Sequence, residues 1–259
     1  MTAFGLASTA FRSHRLGARD IDAMKAAGFD TLDLVATAGH LEIADVAQLD
    51  ELVRSSREAG VAIRSLSVAA GELPAMASVA VDRGWPLVIG RTGPCRVTET
   101  RADAATALAP ILEKLELLLP ERGVSVAIQT PGGRALSSDA IVAILESIDD
   151  PRFGVCLDAG HAHLSGGAPE SAESASGLVM AAILHDNTGR EDLHRAPGEG
   201  AINWAAVLIA CWKTGFSGPW ILDVADEPGR LDTVSRAVSA RARLQAILED
   251  LAQPMTFPE

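Results

Sequence analysis

The sequence predicts a single (β/α)8 barrel occupying residues 1–259. Three observations carry this. Apolar, β-branched runs recur eight times at roughly 30-residue spacing, helix-period segments lie between them, and the same glycine punctuation precedes several runs. The length of 259 residues also matches the roughly 250 residues common for such barrels.

The expected strands are 4–8, 31–36, 61–68, 86–90, 124–129, 153–158, 181–186 and 219–224. Between the first two, 20–27 puts Ile21 and Met24 on one helical face; 44–59 does the same with Val46, Leu49, Leu52 and Val53. A longer apolar helix over 100–119 is closed by Pro120 and Gly123. Ser137, Ser138 and Asp139 are N-cap candidates for a helix running to Ile148. Helices over 203–214 and 231–251 complete the set. Gly28, Gly60, Gly123 and Gly215 each stand just before a strand, where a left-handed C-cap ends a helix. No Gly-x-Gly-x-x-Gly turn follows the first strand, which disfavours an open dinucleotide-binding sheet.

Composition narrows the setting. Hydrophobic residues make up 48% and charged residues 22% of the chain, which excludes disorder. No apolar run approaches the roughly 20 residues of a membrane span. The start, Met1-Thr-Ala-Phe-Gly-Leu, has neither a basic region nor an apolar signal core, so a cytoplasmic protein is expected. Cys95, Cys156 and Cys211 are odd in number and widely spaced, reading as small buried hydrophobes rather than a disulfide framework. A net charge of −12 argues against a nucleic-acid partner.

The chemistry concentrates in two segments, GVCLDAGH at 154–161 and ILHDNTGREDLH at 183–194. Each is an apolar run that ends in Asp and His, nitrogen and carboxylate donors suited to a divalent metal. Strand alternation gives them a common direction. With Gln129, Asp158, His185 and Asp223 facing inward, the layer beneath is Ala127, Cys156, Ile183 and Ile221, apolar as a filled barrel interior requires. The polar groups then crown the C-terminal face, where barrels of this kind carry their sites. Arg12, Arg15, Arg91, Arg134, Arg190 and Arg195 fall in the strand-to-helix loops of that face. Arg91, Arg134, Arg190 and Arg195 are read as substrate-binding residues for an anionic group, which a guanidinium grips bidentately.

These motifs, with DLHRAPGEG at 192–200 and GPWILDV at 218–224, resemble the sugar phosphate isomerase/epimerase superfamily of xylose isomerase-like TIM barrels. The resemblance is close in the C-terminal half and rests on strand–helix rhythm in the N-terminal half. It implies a divalent ion (Mn, Mg, Co or Zn) held by Gln129, Asp158, His185 and Asp223. Two of these depart from the usual pattern, which has Glu at the positions of Gln129 and Asp223. Gln129 offers a carbonyl oxygen but exchanges no proton near neutrality. Asp223 or His161 is left as the proton-transfer residue. His161, Asp192 and His194 match a second cluster, for another metal or for substrate. The barrel's relatives among apurinic-site endonucleases are disfavoured because this chain lacks their histidines on strands three and four. The resemblance thus implies a metal-dependent isomerase or epimerase acting on a small sugar, sugar phosphate or polyol derivative through an enediolate. Gln129 keeps open a non-catalytic barrel that binds a sugar-like ligand or a partner protein. A lyase, dehydratase or metal-dependent hydrolase on the same scaffold also fits. Dimers are common among proteins of this resemblance, so a homodimer is an open expectation.

Overall fold

The computed structural model describes residues 4–91, 101–119, 123–132, 138–226 and 232–252. Eight strands, β1 (Phe4–Ala7), β2 (Thr31–Val35), β3 (Ala62–Ala69), β4 (Leu87–Arg91), β5 (Ser125–Gln129), β6 (Phe153–Asp158), β7 (Val179–Leu184) and β8 (Trp220–Leu222), pair in parallel and in chain order. The barrel closes where Phe4 pairs with Trp220 and Gly5 with Ile221. Its helices among the described residues are α1 (Ala18–Ala26), α2 (Val46–Ala59), α3 (Leu73–Arg83), α4 (Arg101–Leu118), α5 (Ser138–Ile148), α6 (Ala159–Ser165), α7 (Ala168–Ser174), α8 (Trp204–Lys213) and α9 (Thr233–Ala252). None is long and apolar enough to cross a membrane.

Three of the predicted glycine caps are present: Gly28, Gly60 and Gly215 close α1, α2 and α8 with φ of 80°, 66° and 75°, values that side chains bearing a Cβ rarely adopt. Gly123 also has a positive φ, 114°, but stands beyond the end of α4 at Leu118. Three helices carry no clear periodic signal in the sequence. The core positions of α3 include Leu73, Ala77 and Ala80, so its apolar stripe is built mainly from alanine and is weak in hydropathy. The short α6 and α7, seven residues each, offer too few turns for a periodic signal. Strand bounds shift most in the last two strands. The seventh runs Val179–Leu184 instead of 181–186 and the eighth Trp220–Leu222 instead of 219–224, which leaves His185, Asp186 and Asp223 just beyond their ends.

Two apolar layers hold the barrel. Ala7, Val35, Leu87, Ile89, Ala127, Cys156, Ala181, Ile183 and Ile221 fill the lumen. Trp220 and Leu222 face the opposite way, into the layer between strands and helices. Predicted parity therefore holds for all four lumen residues named from the sequence. Cys156 and Cys211 are free and buried; Cys95 lies outside the described residues. Register shifts occur between Leu32 and Asp33 on the β2–β3 pair and between Val155 and Cys156 on β6–β7. Each admits one extra residue on the neighbouring strand, Arg64 and Met180. Such bulges add local twist and re-aim side chains.

Candidate active site

The cluster at the C-terminal mouth begins with Asp158, the last residue of β6 and the N-cap of α6. Its Oδ1 accepts from the His161 backbone N–H at 2.9 Å, so one carboxylate both starts a helix and faces the mouth. Gly160, between the two, has a steric reason: a Cβ there would lie 1.9 Å from His185 Cε1. The DAGH motif thus packs α6 directly onto the β7 histidine.

His161 is oriented from both sides. Its Nδ1 lies 3.0 Å from the Thr130 carbonyl and its Nε2 3.1 Å from Asp192 Oδ2. His185 is completely buried. Its Nε2 comes within 2.8 Å of Asp158 Oδ1, but the approach lacks hydrogen-bond direction, and neither ring nitrogen has a hydrogen-bond partner. This is a close contact rather than a satisfied bond, and two buried nitrogen atoms are left aimed at the cluster.

The loop after β7 delivers the remaining donors. Asp186 organises it, accepting from the backbone N–H groups of Asn187, Gly198 and Ile202 and from the Trp204 indole at 2.9, 2.8, 3.2 and 2.9 Å. Asn203 caps α8, its side-chain oxygen accepting from the Ala206 backbone N–H at 3.2 Å. His194 is held at φ 44°, a left-handed conformation uncommon outside glycine and often met at functional sites. It brings Nε2 to 3.4 Å from Asp192 Oδ2 and Nδ1 to 3.5 Å from Asp223 Oδ2.

Donor atoms of His161, His185, Asp192 and His194 consequently all lie within 4.8 Å of one another. Three imidazoles and a carboxylate form a donor set suited to zinc or a similar divalent ion, and the two unpartnered nitrogens of His185 fit that use. The strand-end set is arranged differently. Gln129 turns its amide nitrogen to Asp158 Oδ2 at 2.7 Å, and Asp223 accepts from the Thr9 hydroxyl and from Arg91 Nη2, the latter at 2.7 Å. His185 belongs to both sets.

Charge follows this geometry. Burial alone would raise the Asp158 carboxyl, but His161, His185 and His194 hold it well below the usual range. Burial would lower His161; the Asp158 and Asp192 carboxylates outweigh it and lift the imidazole to about 9. His194, likewise disfavoured by burial, is raised by Asp223 and Asp192 to about 11. Arg91 and His194 keep Asp223 anionic against its own burial.

Asp33 joins the site without having been marked by the sequence. It sits on the inward face of β2, where Ser65 donates to Oδ1 at 2.7 Å and Ser67 to Oδ2 at 2.9 Å. Burial pushes its carboxyl up to about 6, against the pull of Arg91, Ser65 and Ser67. A lone carboxylate inside the apolar run Thr31-Leu-Asp-Leu-Val35 was the available signal. Thr9 and Thr130 were missed too, having no motif to mark them.

The arginines divide. Arg91 ends β4 and points into the mouth. Arg195 turns Nη1 to the Glu199 carbonyl at 3.4 Å, Arg190 is exposed, and Arg15 pairs with Asp45. Arg134 lies outside the described residues. A cavity of about 890 Å³ opens at the opposite end of the barrel, among Thr31, Arg64, Met180, Phe216 and Trp220, and shares no residue with the cluster.

Among curated proteins, an uncharacterized protein of Methanocaldococcus jannaschii is 25% identical over 170 residues, 63% of this chain and 56% of that protein. The rhizopine catabolism protein MocC of Rhizobium meliloti is 23% identical over 155 residues, 53% of this chain and 48% of its own length. The chain thus spans about half the length of these relatives. Among solved structures, the IolI protein with a bound zinc atom superimposes with a TM-score of 0.80 at 18% identity, covering 93% of this chain and 97% of that one. A D-tagatose 3-epimerase-like protein gives 0.78 at 19%, covering 96% and 98%. L-ribulose 3-epimerase gives 0.75 at 17%, covering all of both chains. At these identities the likeness is one of fold. The family profile matches residues 79–247, and the chain belongs to the xylose isomerase-like TIM barrel family.

Proposed function

We propose that this protein is a divalent-metal-dependent isomerase or epimerase acting on a small sugar, sugar phosphate or polyol-derived substrate through an enediolate. The observation that carries this reading is the convergence of His161, His185, Asp192 and His194 at the C-terminal mouth of the barrel. The zinc-bearing IolI and the 3-epimerases among the similar structures support it. Manganese, magnesium, cobalt and zinc are all candidates; the three imidazole donors favour zinc or cobalt over magnesium. When bound, the ion would polarise a substrate carbonyl or hydroxyl and acidify the adjacent C–H.

In this reading the metal is held by the histidine set rather than by Gln129, Asp158, His185 and Asp223 together. Thr130 and Asp158 fix His161, and Asp186 fixes the loop bearing Asp192 and His194. Asp223 remains the proton acceptor, since Arg91 and Thr9 hold it as an oriented anion across the mouth. His161 then serves as a metal donor instead of an acid/base group. Arg91, Arg134, Arg190 and Arg195 are proposed to receive an anionic substrate group, with Arg91 facing the mouth.

Solvent exchange tests the chemistry whatever the product is. The metal-loaded protein is incubated in D2O with a panel of ketoses, ketose phosphates and cyclic polyol ketones. NMR should show deuterium entering the C–H beside a carbonyl, and Asp223→Asn should abolish it. No exchange across the panel, together with no metal uptake, would sink the proposal.

A second reading, a non-catalytic sugar-binding barrel, is favoured by Gln129 alone, whose amide donates to Asp158 where the related epimerases carry a second carboxylate. Epimerase turnover gained by Gln129→Glu from a silent parent would support it.

A further inference from the structure

Arg91 is the terminal residue of β4 and shares its inward parity with Leu87 and Ile89 of the lumen. Its Nη2 lies 2.7 Å from Asp223 Oδ2 and 3.9 Å from Asp33 Oδ2. Its Nε is buried with no hydrogen-bond partner among the described residues. The guanidinium therefore sits in the acidic half of the mouth, between carboxylates from β2 and from the end of β8.

That half is supplied with N–H and O–H donors by the chain itself. Asp223 takes Thr9 on one oxygen and Arg91 on the other. Asp158 Oδ2 takes the Gln129 amide, a donor that a glutamate could not provide. A cation approaching these carboxylates would have to displace those donors and meet a guanidinium that cannot give up its charge. On the histidine side His185 has two unsatisfied nitrogens and no competing donor.

We propose that Arg91 is a resident cation that occupies the acidic half of the mouth in place of a metal ion. Asp223 is thereby kept out of metal coordination, and the chain is limited to about one ion, at the histidine cluster. This rests on the metal reading given above for that cluster.

The test is metal stoichiometry and affinity of the full chain, loaded with Zn2+ or Mn2+, freed of excess ion, and measured by elemental mass spectrometry and calorimetry. Wild type and Arg91→Lys should bind about one ion. Arg91→Met should take a second ion, at least about tenfold tighter than any weak second binding in wild type, and Arg91→Met with Asp223→Asn should lose it again. Should Arg91→Met fail to fold, Asp223→Asn alone decides. It should still bind one ion, weakened by no more than the roughly 10–100-fold of an outer-shell partner, since Asp223 lies 3.5 Å from His194. Two tight ions in wild type, an unchanged Arg91→Met, or complete loss of the ion in Asp223→Asn would overturn the proposal. The two ideas separate cleanly. A metal-free wild type beside an Arg91→Met variant that gains an ion would refute the histidine site but support the role of Arg91; no ion in either protein would overturn both.

Discussion

His185 and His194 stack with their ring centroids 3.8 Å apart and their planes within 12°. One follows β7 directly, and the other returns from a loop braced by Asp186. His161 meets His185 edge-on, its centroid 5.7 Å away. Three imidazoles this close are held together by Asp158, Asp192 and Asp223, carboxylates drawn from three different segments.

His185 is the donor common to both candidate ligand sets. Replacing it with Ala should weaken divalent-metal binding by at least about 100-fold, since outer-shell partners alone account for about 10–100-fold. Gly160→Ala should mimic part of this loss by pushing the His185 ring aside. Calorimetric titration, with circular dichroism to verify folding, measures both. Wild-type affinity in His185→Ala would remove the residue from any metal role.

Metal uptake should release protons and strengthen as pH rises. At neutral pH His161 and His194, raised to about 9 and about 11, carry protons that an ion must displace. Calorimetry in buffers of different ionisation enthalpy should show net proton release at pH 7. The same shifts govern the metal-free protein. Stability from the raised histidines is fully present below about 6.5 and lost as pH climbs through 9 and 11. Stability from the depressed Asp158, Asp192 and Asp223 is present above about 4 and lost as pH falls below it. A melting temperature that rises between pH 8 and 11 would contradict this.

Asp186 should matter to the site without touching it. Asp186→Ala would leave three backbone N–H groups and the Trp204 indole without their acceptor. The expected cost is about 3 kcal/mol of stability, together with faster hydrogen exchange in residues 187–204 and weaker metal binding. Unchanged exchange in that loop would show that something else holds it.

Asp33 should be a site of stored instability. Its carboxyl titrates at about 6 in the fold, above its ordinary value, so the folded state holds that proton more tightly than the unfolded chain. The associated stability is present at low pH and lost as pH rises through 6. Asp33→Asn keeps an acceptor for Ser65 and Ser67 and should stabilise the protein by roughly 2–3 kcal/mol at pH 8, with little effect at pH 4. Denaturant melts at the two pH values test the sign.

Much of the fold was legible because barrel strands and their glycine caps are local features. Phe153–Asp158 matched in full, and the left-handed glycines stood where helix periodicity gave way to an apolar run. The alanine-rich α3 was not legible, since its stripe carries little hydropathy contrast. In the site, Asp158, His161, His185, Asp192, His194 and Asp223 were marked by motif and parity. Asp33 was hidden by its own isolation, and the partnership of Gln129 with Asp158 could not be read from residue type.

The chain's local pattern alone determined a parallel eight-stranded barrel, its apolar lumen and the polar ends of its C-terminal strands, because side-chain alternation has a period of two whatever the neighbours are. Closure decided the rest. Arg91 and Asp223 are 132 positions apart and Thr9 and Asp223 are 214 apart; only the curvature of the closed sheet carries them to a common mouth. Distance along a chain says nothing about which donor reaches a carboxylate first. In this barrel the geometry gives Asp223 to a guanidinium and leaves the histidines to one another.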